Sequence, residues 1–249
     1  MKNVKDNFSA NADLYAKYRP DYPAELYSFL YSRIPDNKAA WDCGTGNGQV
    51  ARVLAARFEN VYATDISGEQ IKQAAPSPNI EYSVQRSEQT NFPDSSFDLV
   101  TVAQAIHWFD FNSFYKEVKR TLKNQGIFAV MGYGLVSAGK DADELIGHFY
   151  RTTLGTYWDK ERKYIDEDYK TIPFPFDEIS APPLVNAVSW TLDELTGYLR
   201  TWSAVAHYIR ANNQDPVEPL KLRLEKVWGI ETKRQVRFPI LLRVARITK

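Results

Sequence analysis

The chain has 249 residues, with 31 basic and 31 acidic side chains and a formal net charge of zero. This length supports one sizeable core with a small attached lid, but not two full domains. A balanced charge removes the electrostatic attraction that draws basic proteins non-specifically onto nucleic acid. We therefore expect a single domain over residues 1–249 with no nucleic-acid partner.

Cysteine content and the length of apolar runs argue against disulfide-bonded, zinc-binding, secreted and membrane-spanning proteins. The one cysteine, Cys43, cannot form an intramolecular disulfide, and no set of cysteines and histidines has the spacing of zinc ligands. The N-terminal residues lack the apolar stretch of a signal peptide, and no later run is long enough to span a bilayer. The sequence thus predicts a cytoplasmic protein with no metal site and no membrane association.

Short apolar strands alternate with helices from about residue 39 to residue 131, a pattern typical of an α/β protein with a parallel sheet. The predicted strands are, in chain order, 39–43, 61–65, 80–84, 97–103 and 127–131. A helix is predicted after the first strand, where Val50, Val53 and Leu54 share one face. Ser67 can cap a second helix that ends near Ala75, and a third follows the fourth strand.

Beyond residue 134 this alternation stops. Residues 137–180 are rich in aromatic side chains, which more often form a small helical core than a cofactor site. Thr191 and Glu194 have the spacing of a capping box and open a helix. Alternating apolar residues predict a last strand over 236–244, in which Pro239 favours an edge position. We expect lid segments at about 1–25, 137–180 and 191–234, over a core of about 36–134 and the C-terminal strands.

The strongest functional signal is a glycine-rich loop between the first strand and its helix, Asp42-Cys43-Gly44-Thr45-Gly46-Asn47-Gly48. Glycines let the backbone approach a ligand closely, and the start of a helix presents free N–H groups. Asp65 lies 21 positions after Gly44, at the end of the next strand, where a carboxylate can bind ribose hydroxyls. Gln49 replaces the third glycine of the dinucleotide pattern. The loop therefore favours a nucleoside ligand over a pyrophosphate.

Several stretches resemble motifs of class I S-adenosylmethionine-dependent methyltransferases. The loop at 42–48 resembles their motif I, and residues 91–100 resemble the segment that leads into their fourth strand. More narrowly, the stretches 15–20, 103–109 and 201–203 are similar to the group that contains trans-aconitate methyltransferase. The resemblance is tight from about residue 15 to residue 131. It implies a Rossmann-like, seven-stranded, mostly parallel sheet with helices on both faces, a helical lid and S-adenosylmethionine as cofactor.

The resemblance also implies which residues bind that cofactor. The loop after the first strand would line the methionine end, the end of the second strand would hold the ribose, and the end of the third would meet the adenine. The N-terminal segment would close over the site. The residues implied are Tyr15, Arg19, Asp42, Gly44, Gly46, Asp65, Ile66, Ser87, Glu88 and Gln104.

His107 follows the fourth strand, at the edge where ligands bind in open α/β sheets. A neutral imidazole there could take a proton from an acceptor hydroxyl or amine, which makes His107 the candidate catalytic residue. The alternative is a structural role, in which His107 and the two aromatic residues after it pack beside the cofactor. A carboxylate acceptor carries no proton that must leave, so it would need no base.

The resemblance implies methyl transfer to a small-molecule acceptor, at a carboxylate or hydroxyl oxygen, by a monomer or homodimer. The competing hypothesis is a non-catalytic regulatory protein that binds S-adenosylmethionine or another nucleoside on the same fold, because a fold alone does not separate the two. A nicotinamide oxidoreductase is a third candidate, and Gln49 argues against it.

Overall fold

A computed structural model describes residue 14, residues 17–229 and residues 232–249. Its strands are β1 (Ala39–Cys43), β2 (Asn60–Asp65), β3 (Ile80–Val84), β4 (Phe97–Ala103), β5 (Leu122–Tyr133), β6 (Asp177–Ile179), β7 (Val185–Trp190) and β8 (Arg234–Arg246). Its α-helices are α1 (Ala24–Tyr31), α2 (Gln49–Ala55), α3 (Gly68–Lys72), α4 (Phe111–Thr121), α5 (Lys140–His148), α6 (Lys163–Asp166), α7 (Leu192–Arg200), α8 (Ser203–Asn212) and α9 (Val217–Trp228). Short 3₁₀ turns cover Ile106–Trp108, Gly155–Tyr157 and Lys160–Arg162, and a π-helical turn covers Phe149–Thr153.

The strands form one sheet in the order β3-β2-β1-β4-β5-β8-β6. Strands β1 to β5 are parallel, whereas β8 runs antiparallel to both of its neighbours. The predicted α/β class and mostly parallel seven-stranded path are therefore confirmed. An additional strand, β7, pairs with the first half of β8, and sequence analysis missed it.

The prediction of an edge position for Pro239 is wrong. Pro239 lies opposite Val185 of β7, and its carbonyl accepts a hydrogen bond of 2.9 Å from the N–H of Gly134. The regular pairing of β5 with β8 ends at Tyr133 and Ile240, directly beside the proline. A residue without an N–H is tolerated there because the ladder with β5 has already ended.

Each face of the sheet carries its own core, because side chains of successive strand residues point to opposite sides. On one face, Leu99 packs with helices α1 and α2. On the other face, Val100 and Val102 pack with α4 and the aromatic ring of Trp41. Burial on both sides explains the nearly continuous apolar character of β4 and β5. No helix in the described ranges has both the length and the apolar character needed to cross a bilayer.

Helices α5 and α7–α9, together with the turns over 149–162, form a cap with a third core, which packs on the first half of β8 through Val236 and Phe238. The capping box predicted at the start of α7 is present. The backbone N–H of Thr191 donates to Glu194 at 2.6 Å, and the N–H of Glu194 donates to Thr191 Oγ1 at 3.2 Å. Phe149 is buried in this core, which confirms the helical-core interpretation for that part of the aromatic segment.

Candidate active site

A cavity of about 390 Å³ lies at the carboxyl ends of the parallel strands β1 to β4. Ligands bind at this edge in open α/β sheets, and the volume is in the usual range for small-molecule sites. The predicted cofactor residues that line it are Asp42, Gly44, Gly46, Asp65, Ile66, Ser87, Glu88 and Gln104. Arg19 lines an adjoining cavity instead, and Tyr15 lies outside the described residues.

The glycine-rich loop is held against its neighbours by backbone contacts. Gly44 and Thr45 both donate N–H groups to the carbonyl of Thr64, at 2.8 and 2.9 Å. Gly44 has a φ of +69°, and a Cβ atom there would lie 2.7 Å from the Cβ of Ala105. Any larger residue would therefore push the loop away from the β4–α4 connection. The result is a bare, fixed backbone facing the cavity.

Asp65 both shapes this loop and faces the cavity. Its Oδ2 accepts the N–H of Gly46 at 2.9 Å, and its Oδ1 accepts the N–H of Ser67 at 2.9 Å. A carboxylate oxygen can accept more than one hydrogen bond, so these contacts are compatible with a ligand hydroxyl on the cavity side. The predicted ribose contact is thus compatible with a second, structural role that the sequence did not reveal.

Asp42 lies at the end of β1 and is only 1% exposed. Its carboxylate accepts hydrogen bonds from the hydroxyls of Thr45 at 2.6 Å and Thr101 at 2.9 Å. Burial raises the pKa of Asp42 to about 6, although both hydroxyl contacts act in the opposite direction. A cationic ligand in the cavity would favour the ionised form of this group.

The wall formed by the ends of β2 and β3 suits a flat base. Ile66 lines the cavity with 41% of its surface exposed, so an apolar face is available for stacking. Glu88 is held in place, since its Oε1 accepts the N–H of Asp110 at 3.2 Å and its Oε2 lies 3.5 Å from Arg86 Nη2. A polar edge beside an apolar face is the pattern predicted for the adenine site.

A second cavity, of about 40 Å³, adjoins the first. Gln104 and Trp108 line both cavities, so the two meet there. Gln104 has a left-handed backbone with a φ of +54°. Its N–H donates to Met131 at 2.9 Å and its side-chain amide donates to Tyr133 at 3.2 Å. These bonds to β5 fix Gln104 at the junction despite the unfavourable conformation.

Arg162, from the cap, presents an open guanidinium to the second cavity. Its Nε donates to Tyr150 Oη at 2.6 Å and lies 3.4 Å from Asp166, and the group stacks over Trp158 at 4.7 Å. Neither terminal nitrogen is hydrogen-bonded to a residue that the structure describes. The side chain is 18% exposed. A guanidinium fork of this kind matches a carboxylate in a two-bond arrangement.

Arg19 and His107 line the same small cavity. The two terminal nitrogens of Arg19 donate to Tyr133 Oη at 2.9 Å and to the carbonyl of Thr201 at 3.1 Å, which joins β5 to the cap. His107 is 5% exposed and its ring lies 4.9 Å from that of Trp108. The arrangement therefore places His107 beside the second cavity and within an aromatic cluster, so both of its predicted roles stay open.

Sequence analysis missed several of the cap residues that line the two cavities, among them Trp158, Asp159, Glu161 and Arg162. A short charged run usually indicates a solvated surface, so the sequence carried no signal for them. Their position depends on how the cap packs against the Ile106–Trp108 turn, which only the folded chain shows.

The chain is similar to known methyltransferases. The methyltransferase domain family matches residues 41–130. A protein of Dictyostelium discoideum, provisionally named a methyltransferase, is 34% identical over 245 residues and covers 95% of this chain and 93% of its own length. The structure of a protein from Anaeromyxobacter dehalogenans, provisionally described as a type II methyltransferase, is 38% identical with a TM-score of 0.86, over 93% of this chain and 99% of that one.

A more distant structure shares the fold alone. Phosphoethanolamine N-methyltransferase 2 of Haemonchus contortus, in complex with S-adenosyl-L-methionine, is 16% identical with a TM-score of 0.51. The match covers 100% of this chain and 61% of that protein.

Proposed function

This chain belongs to the class I S-adenosylmethionine-dependent methyltransferases, and from that premise we propose that it methylates an oxygen atom of a small acceptor that carries a carboxylate. The cofactor supplies a methyl group already bonded to a positively charged sulfur, which is a good leaving group. The residues of this chain then need to align the acceptor and to exclude water. The observation that carries the proposal is the meeting of the two cavities at Gln104 and Trp108.

The larger cavity fits the cofactor. The bare backbone of Gly44 and Gly46 admits the methionine end, and the ionised form of Asp42 complements its ammonium group. Asp65 lines the cavity where its carboxylate would accept the ribose hydroxyls, and Ile66 offers an apolar face to the adenine. These residues would hold the cofactor with its sulfur toward the junction.

The smaller cavity supports a small anionic acceptor. Arg162 offers two terminal nitrogens to a carboxylate, while Trp158 and Trp202 form apolar walls that exclude water. Arg19 adds a second positive charge, although its terminal nitrogens are committed to Tyr133 and Thr201. Arg162 is therefore the better candidate for direct contact with the acceptor.

The proposal can be tested by measuring S-adenosylhomocysteine formation with a panel of small carboxylic acids, phenols and amines. We expect turnover with carboxylic acids. Arg162→Gln should raise the KM for the acceptor roughly tenfold to 150-fold, the effect of losing charge-assisted hydrogen bonds worth about 1.5–3 kcal/mol. Arg223→Gln, on an exposed position of α9, is the matched control and should change nothing.

Two results would contradict the proposal. Turnover confined to phenols or amines and insensitive to Arg162 would exclude the carboxylate acceptor. Tight cofactor binding with no turnover on any compound of the panel would support the regulatory alternative instead.

Substitution of His107 distinguishes a carboxylate acceptor from a hydroxyl acceptor. A carboxylate needs no base, so His107→Gln should leave kcat with a carboxylic acid within about threefold of wild type. A hydroxyl acceptor needs proton removal, and loss of a general base typically costs about 10²–10⁴ in rate. A drop of that size in kcat would identify His107 as the base and the acceptor as a hydroxyl.

A further inference from the structure

Glu161 lies in the wall of the cofactor cavity but comes from the cap rather than from the sheet. It belongs to the 3₁₀ turn Lys160–Arg162, which packs against the turn Ile106–Trp108. Its neighbours Asp159 and Arg162 line the second cavity. Glu161 is therefore on the side of the cofactor cavity where the two cavities meet.

The carboxylate of Glu161 differs from the other carboxylates in this wall. Asp42, Asp65 and Glu88 each accept at least one hydrogen bond from their own chain. For Glu161, no hydrogen bond or ion pair from the part of the chain that the structure describes reaches the carboxylate, and Oε2 is buried. A carboxylate with one buried oxygen and no partner gains from a nearby opposite charge, so a cation that enters the cavity would be stabilised there.

The cofactor carries two positive groups, a sulfonium and an α-ammonium, whereas its product S-adenosylhomocysteine keeps only the ammonium. We propose that Glu161 complements the sulfonium charge and makes the cavity selective for the charged cofactor over its uncharged-sulfur product. The ammonium would be complemented by Asp42, which lines the cavity at the predicted methionine end beside the glycine-rich loop. Glu161 instead belongs to the turn that packs against the Ile106–Trp108 turn, on the side of the cavity toward which the methyl-bearing sulfur must point for transfer.

Selectivity for the charged cofactor would help the enzyme to release S-adenosylhomocysteine after each transfer. In the transfer, the bond between sulfur and methyl breaks, sulfur keeps the electron pair, and the methyl carbon bonds to the acceptor. The sulfur thereby becomes neutral, and the attraction to Glu161 is lost in the same step. Product release is favoured because the carboxylate again lacks a cation. The inference rests on the cofactor of the proposed function and not on the identity of its acceptor.

Isothermal titration calorimetry on the full chain tests this without any acceptor. S-adenosylmethionine and S-adenosylhomocysteine are titrated separately into wild type and Glu161→Gln. We expect the Kd for S-adenosylmethionine to rise roughly tenfold, as for loss of one partly buried charge pair, and the Kd for S-adenosylhomocysteine to change less than twofold. Glu144→Gln, at an exposed position of α5 away from both cavities, is the control for general charge effects.

Equal weakening of both ligands would overturn the proposal, because it would place Glu161 against a group that they share. Unchanged affinity for S-adenosylmethionine would overturn it as well. If Glu161→Gln does not fold, as judged by circular dichroism, Glu161→Asp and Glu161→Ala take its place. The aspartate should keep the discrimination and the alanine should lose it, and the opposite order would contradict the inference. Turnover plays no part in these readouts, so a wrong acceptor assignment leaves the test intact.

Discussion

The two walls of the active site differ in how they satisfy their charged groups. On the sheet side, the carboxylates of Asp42 and Asp65 each accept at least two hydrogen bonds from their own chain. On the cap side, the carboxylate of Glu161 and the terminal nitrogens of Arg162 have no such bonds among the described residues. The sheet wall is therefore formed in advance, whereas the cap wall presents charges that a ligand can neutralise.

This difference indicates a division of roles between the walls. Internal hydrogen bonds make the sheet wall rigid, so it can position a ligand without being reorganised. Charged groups without a partner make the cap wall sensitive to the charge of the ligand. The free energy of binding is favourable only when the ligand brings a group of opposite charge. We expect substitutions in the sheet wall to affect affinity and stability together, and substitutions in the cap wall to affect selectivity.

The largest effect is expected for Gly44→Ala. The new Cβ would lie 2.7 Å from Ala105 and 3.4 Å from Phe109, at a φ of +69°. Overpacking and backbone strain together should lower the free energy of unfolding by about 2–4 kcal/mol. Calorimetry should show cofactor binding reduced by two orders of magnitude or more, since the loop must shift, and thermal denaturation should show the lower stability.

Gly155→Ala is the matched control for this substitution. Gly155 belongs to the cap, and a Cβ there would meet nothing within 4 Å. We expect the melting temperature and the cofactor affinity to stay at their wild-type values. A comparable loss in both variants would mean that the close approach at Gly44 does not matter.

A smaller effect is expected for Asp65→Ala. Loss of charge-assisted hydrogen bonds worth about 1.5–3 kcal/mol should weaken cofactor binding roughly tenfold to 150-fold. Because Asp65 also holds the N–H groups of Gly46 and Ser67, the melting temperature should fall as well. Unchanged affinity with a lower melting temperature would leave Asp65 with the structural role alone.

The pKa of Asp42 predicts a moderate dependence on pH. Burial raises it from 3.8 to about 6, so the folded chain binds more protons than the unfolded chain between these values. The contribution of Asp42 to the free energy of unfolding should therefore fall as pH rises through this window and stay level above it, which the difference between wild type and Asp42→Asn measures. Affinity for the cationic cofactor should rise up to about tenfold from pH 5 to pH 7, as Asp42 ionises. A pH-independent Kd, or the same profile in Asp42→Asn, would contradict this.

The smallest effect on the cofactor is expected for Arg19→Ala. Arg19 joins Tyr133 of β5 to Thr201 at the end of α7 and does not line the cofactor cavity. Two lost hydrogen bonds should reduce the free energy of unfolding by about 1–3 kcal/mol, while the Kd for the cofactor should change less than about threefold. A tenfold or larger rise in that Kd would instead support direct contact between Arg19 and the cofactor.

The sheet wall was predictable from sequence because its residues are set by local rules. Strand ends, a glycine-rich loop and the helix cap at Ser67 depend on neighbours a few positions away, and each was found where expected. The cap wall was not predictable, since Glu161 and Arg162 reach the site through packing of segments distant in sequence. The edge position predicted for Pro239 was wrong for a related reason. The strands beside Pro239 depend on where β5 ends, which local sequence does not show.

A crystal structure with S-adenosylhomocysteine bound tests most directly whether the two cavities form one catalytic site. The account predicts that the sulfur lies at the junction lined by Gln104 and Trp108, with the ribose on Asp65 and Glu161 in the facing wall. A sulfur atom turned away from this junction, with no open path from it to Arg162, would contradict the account.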